Sequence, residues 1–164
     1  IAAVAATPAS AGPAEVERAI PNAQMVGEAT YRVLAIPMFN AELWNASGAF
    51  SWEQPFALTL TYERSAGANV LINRSIREMS SRGAGNAQAL APLRVQFERC
   101  FSNVARGDRF TGVSTGAETA RFYLNGAHRC DVRWPNFRRH FFGIWLAGRD
   151  GAEADISARL RGES

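Results

Sequence analysis

The chain contains no lysine: its eighteen basic residues are all arginines, set against fifteen acids. Arginine at the expense of lysine is the codon signature of a GC-rich genome. The arginines are scattered, Arg138-Arg139 being the only adjacent pair, so the net charge of +3 does not gather into a basic run. That spread excludes a nucleic-acid surface of the usual kinds. Cysteine and histidine are equally scarce, at two each. Without a C-x-x-C or an H-x-x-x-H spacing they supply no metal site, and no cofactor motif or pair of carboxylates on one face makes up for it. No stretch approaches the ~18 apolar residues of a membrane span.

What is present is an ordinary globular composition, 47% hydrophobic and 20% charged over 164 residues, enough for one domain with a substantial core. The beginning stands apart. Ile1 to Ala11 is small and apolar, and Ala9-Ser10-Ala11 before Gly12 has the small-x-small form of a signal-peptidase site. Residues 1–24 therefore read as the remnant of a secretory signal with its leader, and 25–164 as a single domain. Export from a Gram-negative bacterium would place that domain in the periplasm. An oxidising compartment would permit a bridge between Cys100, on the apolar face of a helix, and Cys130, after a hairpin; free buried thiols are the other reading.

Hydrophobic periodicity divides the rest of the chain. Met25 to Ile36 alternates as a strand that Pro37 stops, and a second segment near Phe39 to Ala46 suggests a hairpin. Phe56, Leu58, Leu60 and Tyr62 alternate with smaller or polar residues, the clearest strand in the chain. From Ala68 the period becomes helical, with Leu71, Ile72, Ser75, Ile76 and Met79 on one stripe, and a second helix spans roughly Leu90 to Asn103. Strands follow at Arg109 to Ser114, Thr119 to Leu124 and, past the Asn125-Gly126 turn, His128 to Val132. Helices over Asn136 to Leu146 and Ala154 to Leu160 close the chain. Gly143, inside the aromatic block Phe141 to Leu146, marks a place where that helix is expected to approach the sheet closely. The class is α+β, an antiparallel sheet with helices packed on one face as an open-faced sandwich.

Several of these pieces carry a family resemblance. Val26-Gly27, the Tyr31 to Leu34 strand, Gln54 to Arg64, Ser75 to Met79, Gly107-Asp108, Arg121 to Gly126, Phe141 to Leu146 and Ala158 to Gly162 fall in the order and spacing of bacterial chalcone-isomerase-like proteins, which the chain resembles over residues 26 to 162. The resemblance implies the same open-faced sandwich. It also implies a comparison with the catalytic members, which place an arginine early on the strand before the first long helix to stabilise a developing phenolate. Here that stretch is Phe56-Ala57-Leu58-Thr59, and the catalytic tyrosine is likewise replaced in Ala68 to Asn73. The chain thus resembles the non-catalytic branch, with no catalytic residue assigned.

Related plant proteins of this fold bind fatty acids through an arginine and a tyrosine. That precedent makes Tyr62, Arg64, Asn73, Phe122 and Trp145 the candidate residues for a hydrophobic small molecule or fatty acid, with no cofactor and no metal. An isomerase or lyase using Arg64 and Tyr62, and a partner-binding role anchored on exposed Trp44 and Trp52, are the alternatives.

Overall fold

The computed structural model describes residues 12–163, so the signal-like Ile1 to Ala11 lies outside the described residues. Six strands, β1 (Gln24–Val33), β2 (Ile36–Asn45), β3 (Phe56–Tyr62), β4 (Arg109–Ser114), β5 (Thr119–Leu124) and β6 (Ala127–Arg133), form one antiparallel sheet in chain order. Alternation decides which side chains meet: Phe56, Leu58, Leu60 and Tyr62 lie opposite Ser114, Gly112, Phe110 and the Gly107–Asp108 turn, all on the face that the helices cover. The first hairpin departs from expectation. The chain turns at Leu34-Ala35, and Pro37 lies inside β2 rather than before it. Proline is tolerated there because the β2–β3 ladder begins only at Phe39↔Tyr62, leaving no β3 partner beside it.

Four helices, α2 (Ala68–Ser81), α3 (Ala91–Cys100), α4 (Phe137–Leu146) and α5 (Gly151–Leu160), pack on that one face. Each buries the stripe its sequence prescribes: Ile72, Ile76 and Met79 from α2, Leu93 and Phe97 from α3, Phe137, Phe141 and Phe142 from α4. This is the chalcone isomerase-like α+β fold. The last carbonyls of α4 have no intrahelical partners, and side chains from elsewhere satisfy them. Ser157 donates to the Trp145 carbonyl at 2.6 Å, Arg82 to that of Ala147 at 2.9 Å, and Arg161 to that of Leu146.

The opposite face is partly covered by a short helix, α1 (Ala14–Ala19). Val16, Ile20 and Ala23 pack with Trp44, Ala57, Val113 and Tyr123 beneath it. The folded unit therefore takes in residues 12–24, which only adjacency to the small apolar start groups with a leader. Glu15 is fully buried there and accepts from Arg109 Nε at 2.6 Å, Arg109 Nη2 at 2.9 Å and Thr111 Oγ1 at 2.9 Å. Burial pushes its carboxyl up, but these donors outweigh that and hold it below the usual glutamate range. Trp44 is only 6% exposed, so it is no surface anchor. Trp52 is half-buried among Phe50, Phe56 and the Arg139 guanidinium.

Two glycines test how the layers meet. A Cβ on Gly143 would find only the Arg82 guanidinium at 3.7 Å and Ala147 at 3.9 Å, so the expected close approach to the sheet does not occur there. Gly143 faces α2 and leaves the path along which Arg82 reaches the end of α4. The close approach is at Gly27, where a Cβ would collide with the Arg159 and Leu160 carbonyls of α5. The Val26-Gly27 and Ala158 to Gly162 pieces of the sequence signature thus touch each other, backbone to backbone. Gly143→Ala is expected to be neutral or to stabilise by up to about 1 kcal/mol, and Gly27→Ala to cost about 1–3 kcal/mol. Urea melts of both variants check this, and equal midpoints would refute the assignment.

A disulfide joins Cys100, at the end of α3, to Cys130 in β6, with Cα atoms 5.2 Å apart and a sequence separation of 30. It ties the helix layer to the edge strand of the sheet. Closing a loop of that length removes unfolded-state entropy worth about 3–4 kcal/mol. Cys130→Ser should lower the unfolding free energy by about that amount, and dithiothreitol should lower the wild type to match.

Candidate functional site

Between the sheet and the helices lies a cavity of about 180 Å³, measured as the space open to the centre of a water molecule. One water needs roughly 10–15 Å³ on that measure, so there is room for on the order of a dozen water-sized groups. The sheet contributes Tyr31, Phe39, Leu58, Leu60, Tyr62 and Phe122 to its wall. These share one face because each strand alternates and the registers Tyr31↔Phe39 and Phe39↔Tyr62 align them across three strands. From the helices come Leu71 and Ser75 of α2, Phe141, Phe142 and Trp145 of α4, and Ile156 of α5.

Phenylalanine rings form the floor. Phe122 stands edge-on to Phe141 at 5.5 Å, Phe142 edge-on to Phe56 at 5.1 Å, and Trp145 against Phe141 at 5.0 Å. Gly112 lies beneath them. A Cβ there would come within 2.9 Å of Phe122 and 3.1 Å of Phe142, so glycine is what lets these two rings meet over the strand.

Charge is confined to the lining residues Arg64, Arg74, Glu78 and Glu153. Arg74 is the most constrained. Its Nη2 donates to the Tyr31 hydroxyl at 3.0 Å, and its guanidinium sits 5.2 Å from the Tyr31 ring centre. Burial works against its charge, but the Tyr31 hydroxyl and the carboxylates of Glu78 and Glu153 more than offset this, leaving its pKa above the ordinary arginine value. Neither glutamate comes within ion-pair distance of it among the described residues. Its remaining donors are therefore open to an anion.

Tyr62 is 8% exposed, and its hydroxyl makes no hydrogen bond among the described residues. Burial pushes its pKa up to about 12, against the partial pull of Arg74. The phenol is therefore a neutral donor at any physiological pH.

Four of the five residues singled out from sequence, Tyr62, Arg64, Phe122 and Trp145, line this one cavity. Arg64 does so from the bend after β3, where strand parity no longer applies, and it is exposed, with no hydrogen bond or ion pair among the described residues. Asn73 is absent from the lining. It sits on the outer side of α2, accepting from Arg94 Nη1 at 2.8 Å, because it lies one residue past Ile72 on the helix and so turns away from the core stripe.

Sequence reasoning missed Arg74 and Tyr31. Arg74 is not among the apolar stripe residues of α2, yet it stands three residues after Leu71, so its long side chain reaches the cavity. Tyr31 carries no signal beyond the alternation of the Met25 to Ile36 strand.

The sequence Gly112-Val113-Ser114-Thr115-Gly116 also spells the Gly-x-Ser-x-Gly pattern of hydrolases. Here it is structural. Ser114 ends a strand that leads to β5 rather than to a helix, and its buried hydroxyl accepts from Arg138 Nε at 2.6 Å, with no hydrogen bond to a histidine among the described residues.

No protein-family model and no curated protein matches the sequence significantly. Solved structures do match. The crystal structure of a fatty-acid binding protein from Arabidopsis thaliana superposes with a TM-score of 0.63, covering 95% of this chain and 91% of that one at 10% sequence identity. At that identity the likeness is one of fold.

Tyr62 supplies a measurable consequence. Folded and unfolded states bind its proton equally below pH 10, the ordinary tyrosine value, but between 10 and about 12 only the folded state retains it. Stability should therefore fall over that window, by at most about 1.4 kcal/mol per pH unit. Tyr62→Phe should lose that component of the decline. Guanidinium melts of both proteins at a series of alkaline pH values check it, and parallel curves would contradict the burial of this hydroxyl.

Proposed function

We propose that this protein is a non-catalytic binder of a fatty acid or similar anionic amphiphile, held in the cavity between sheet and helices. The single observation that carries this reading is an apolar cavity whose charged rim presents an arginine with open donors, Arg74, beside a neutral, unpartnered phenol, Tyr62. A guanidinium and a phenol together satisfy a carboxylate, and charge-assisted hydrogen bonds of this kind are the strong ones. Arg64 reinforces them from the rim. The acyl chain lies against Leu58, Leu60, Phe122, Phe141 and Trp145, where burying each methylene is worth about 0.8 kcal/mol. The size of the cavity favours a medium chain over a long one. The fatty-acid binding neighbour of the same fold supports the assignment.

The small-x-small motif before Gly12 supports export, and the Cys100–Cys130 bridge suits an oxidising compartment, so the proposed location is the periplasm. Fractionation of cells expressing the full-length gene tests it.

Binding is tested by competition of dodecanoate against a fluorescent fatty-acid probe. Arg74→Ala should weaken dodecanoate about tenfold or more, and Tyr62→Phe by a few-fold, the loss of one charged and one neutral hydrogen bond. Asn73→Ala should change nothing. Dodecanol binding as tightly as dodecanoate to the wild type, or no competition at all, would overturn the reading.

A further inference from the structure

The β1–β2 hairpin overhangs the sheet. Its ladder runs on to Val33↔Ile36, whereas β3 stops pairing at Phe39↔Tyr62 and retains only the Glu63 N–H to Met38 carbonyl bond beyond it. The overhanging tip is apolar and open to solvent: Leu34 is 92% exposed, Val33 and Ile36 43% each. Leu34 and Ala35 form a two-residue turn with φ of 50° and 67°. That is the geometry in which Asn-Gly is the preferred pair, since a branched side chain is strained at positive φ. The other three described non-glycine residues with positive φ are asparagines. Both the solvation and the strain of Leu34 are therefore unfavourable in the isolated molecule, which points to a use for that side chain at the tip.

The surroundings say what it meets. Arg32 in the hairpin, Arg64 after β3 and Arg106 in the turn before β4 all lie at this end of the sheet, exposed and without an ion pair among the described residues. Of the acids at the same end, Asp108 is occupied by the Ala105 N–H and the Asn125 amide, Glu78 and Glu153 line the cavity with Arg74, and Glu63 follows β3. The cavity is at this end too: Tyr31, Met38 and Phe39 of the same hairpin line it, with Arg64 and the 65% exposed Val70.

We propose that the hairpin tip is a docking element for an anionic lipid bilayer. Leu34, with Val33 and Ile36, enters the interface while the arginines meet lipid phosphates, and the cavity is held against the surface from which an amphiphile is taken or to which it is given. Apolar tip residues flanked by cations are what interfacial binding requires. The exchange role rests on the proposed ligand; docking does not.

The test uses the ligand-free protein and sedimentation with two kinds of vesicle, equal parts phosphatidylglycerol and phosphatidylcholine, and phosphatidylcholine alone. The wild type should bind the anionic vesicles and be released by high salt. A double variant, Leu34→Asn with Ala35→Gly, installs the preferred residues of this turn. It should melt no lower than the wild type and bind dodecanoate equally in solution, but bind vesicles roughly ten- to a hundredfold more weakly, the loss of one buried leucine. Wild-type strength in the double variant, or no binding of the wild type to anionic vesicles, overturns the docking. A wild type that ignores vesicles but self-associates through a contact the double variant lacks overturns it in favour of a protein interface. Dodecanoate competition on the same samples separates the two readings: docking fails alone if dodecanoate still binds, and the ligand assignment fails alone if only vesicles do.

Discussion

The distance between sheet and helices is the constraint on which the rest of this structure depends, and it is set differently at two places. At β1 the spacer is nothing: Gly27 has no side chain, and the α5 carbonyls rest on strand backbone. Over β4 and β5 the spacer is a pair of aromatic rings, Phe122 beneath Phe141, with Phe142 beside them against Phe56. A helix layer seated on backbone along one edge and on rings toward the other leaves space between them. Tyr31, Phe39, Leu60 and Tyr62 line that space from the sheet. Packed interiors rarely keep such a gap, and here both ends of the layer are fixed, by the α5 contact and by the Cys100–Cys130 bridge, so it does not collapse.

The charges are arranged on the same plan. Buried or half-buried arginines without an acid at contact distance are supplied with oxygens instead. Arg138 donates to Ser114 Oγ and to the Trp52 and Ser114 carbonyls, and Arg82 to that of Ala147. The Arg138 network is finished, with all three of its nitrogens in use, whereas Arg82 keeps a buried Nε without a partner among the described residues but lies outside the cavity lining. Arg74 differs by its place: it lines the cavity, and a single tyrosine hydroxyl takes one of its donors. Glu15 is the converse, a buried carboxylate fully used by Arg109 and Thr111 to fasten α1 across the outer face. Counting donors against acceptors, rather than counting charges, separates the polar groups that hold the fold from those that face the cavity.

Much of the architecture follows from the sequence alone. Alternation in Phe56 to Tyr62, the helical stripe from Leu71 to Met79 and the Asn125-Gly126 turn are local patterns, and local patterns fix strands, helices and turns because each depends on neighbours within a few residues. The two faces of β3 follow by parity, which is how Tyr62 could be assigned to the covered side and Thr59 to the other. The order of the signature pieces carried the fold class as well.

What tertiary structure decided is whatever depends on contacts distant in the chain. Gly27 and Gly143 look alike in sequence, but only the placement of α5 on β1 makes the first indispensable, and only the path of Arg82 explains the second. Residues 12–24 group with the leader only by adjacency to the small apolar start, and α1 belongs to the fold because Glu15 finds Arg109, which lies 94 residues away. Trp44 lies on the outer parity of β2, and α1 covers it. Asn73 and Arg74 are adjacent on one helix, and a rotation of about 100° per residue sends one to Arg94 and the other to Tyr31. Which of two neighbouring polar residues reaches a cavity is a question of where the cavity is, and that is fixed by the spacing of layers whose parts are far apart in sequence.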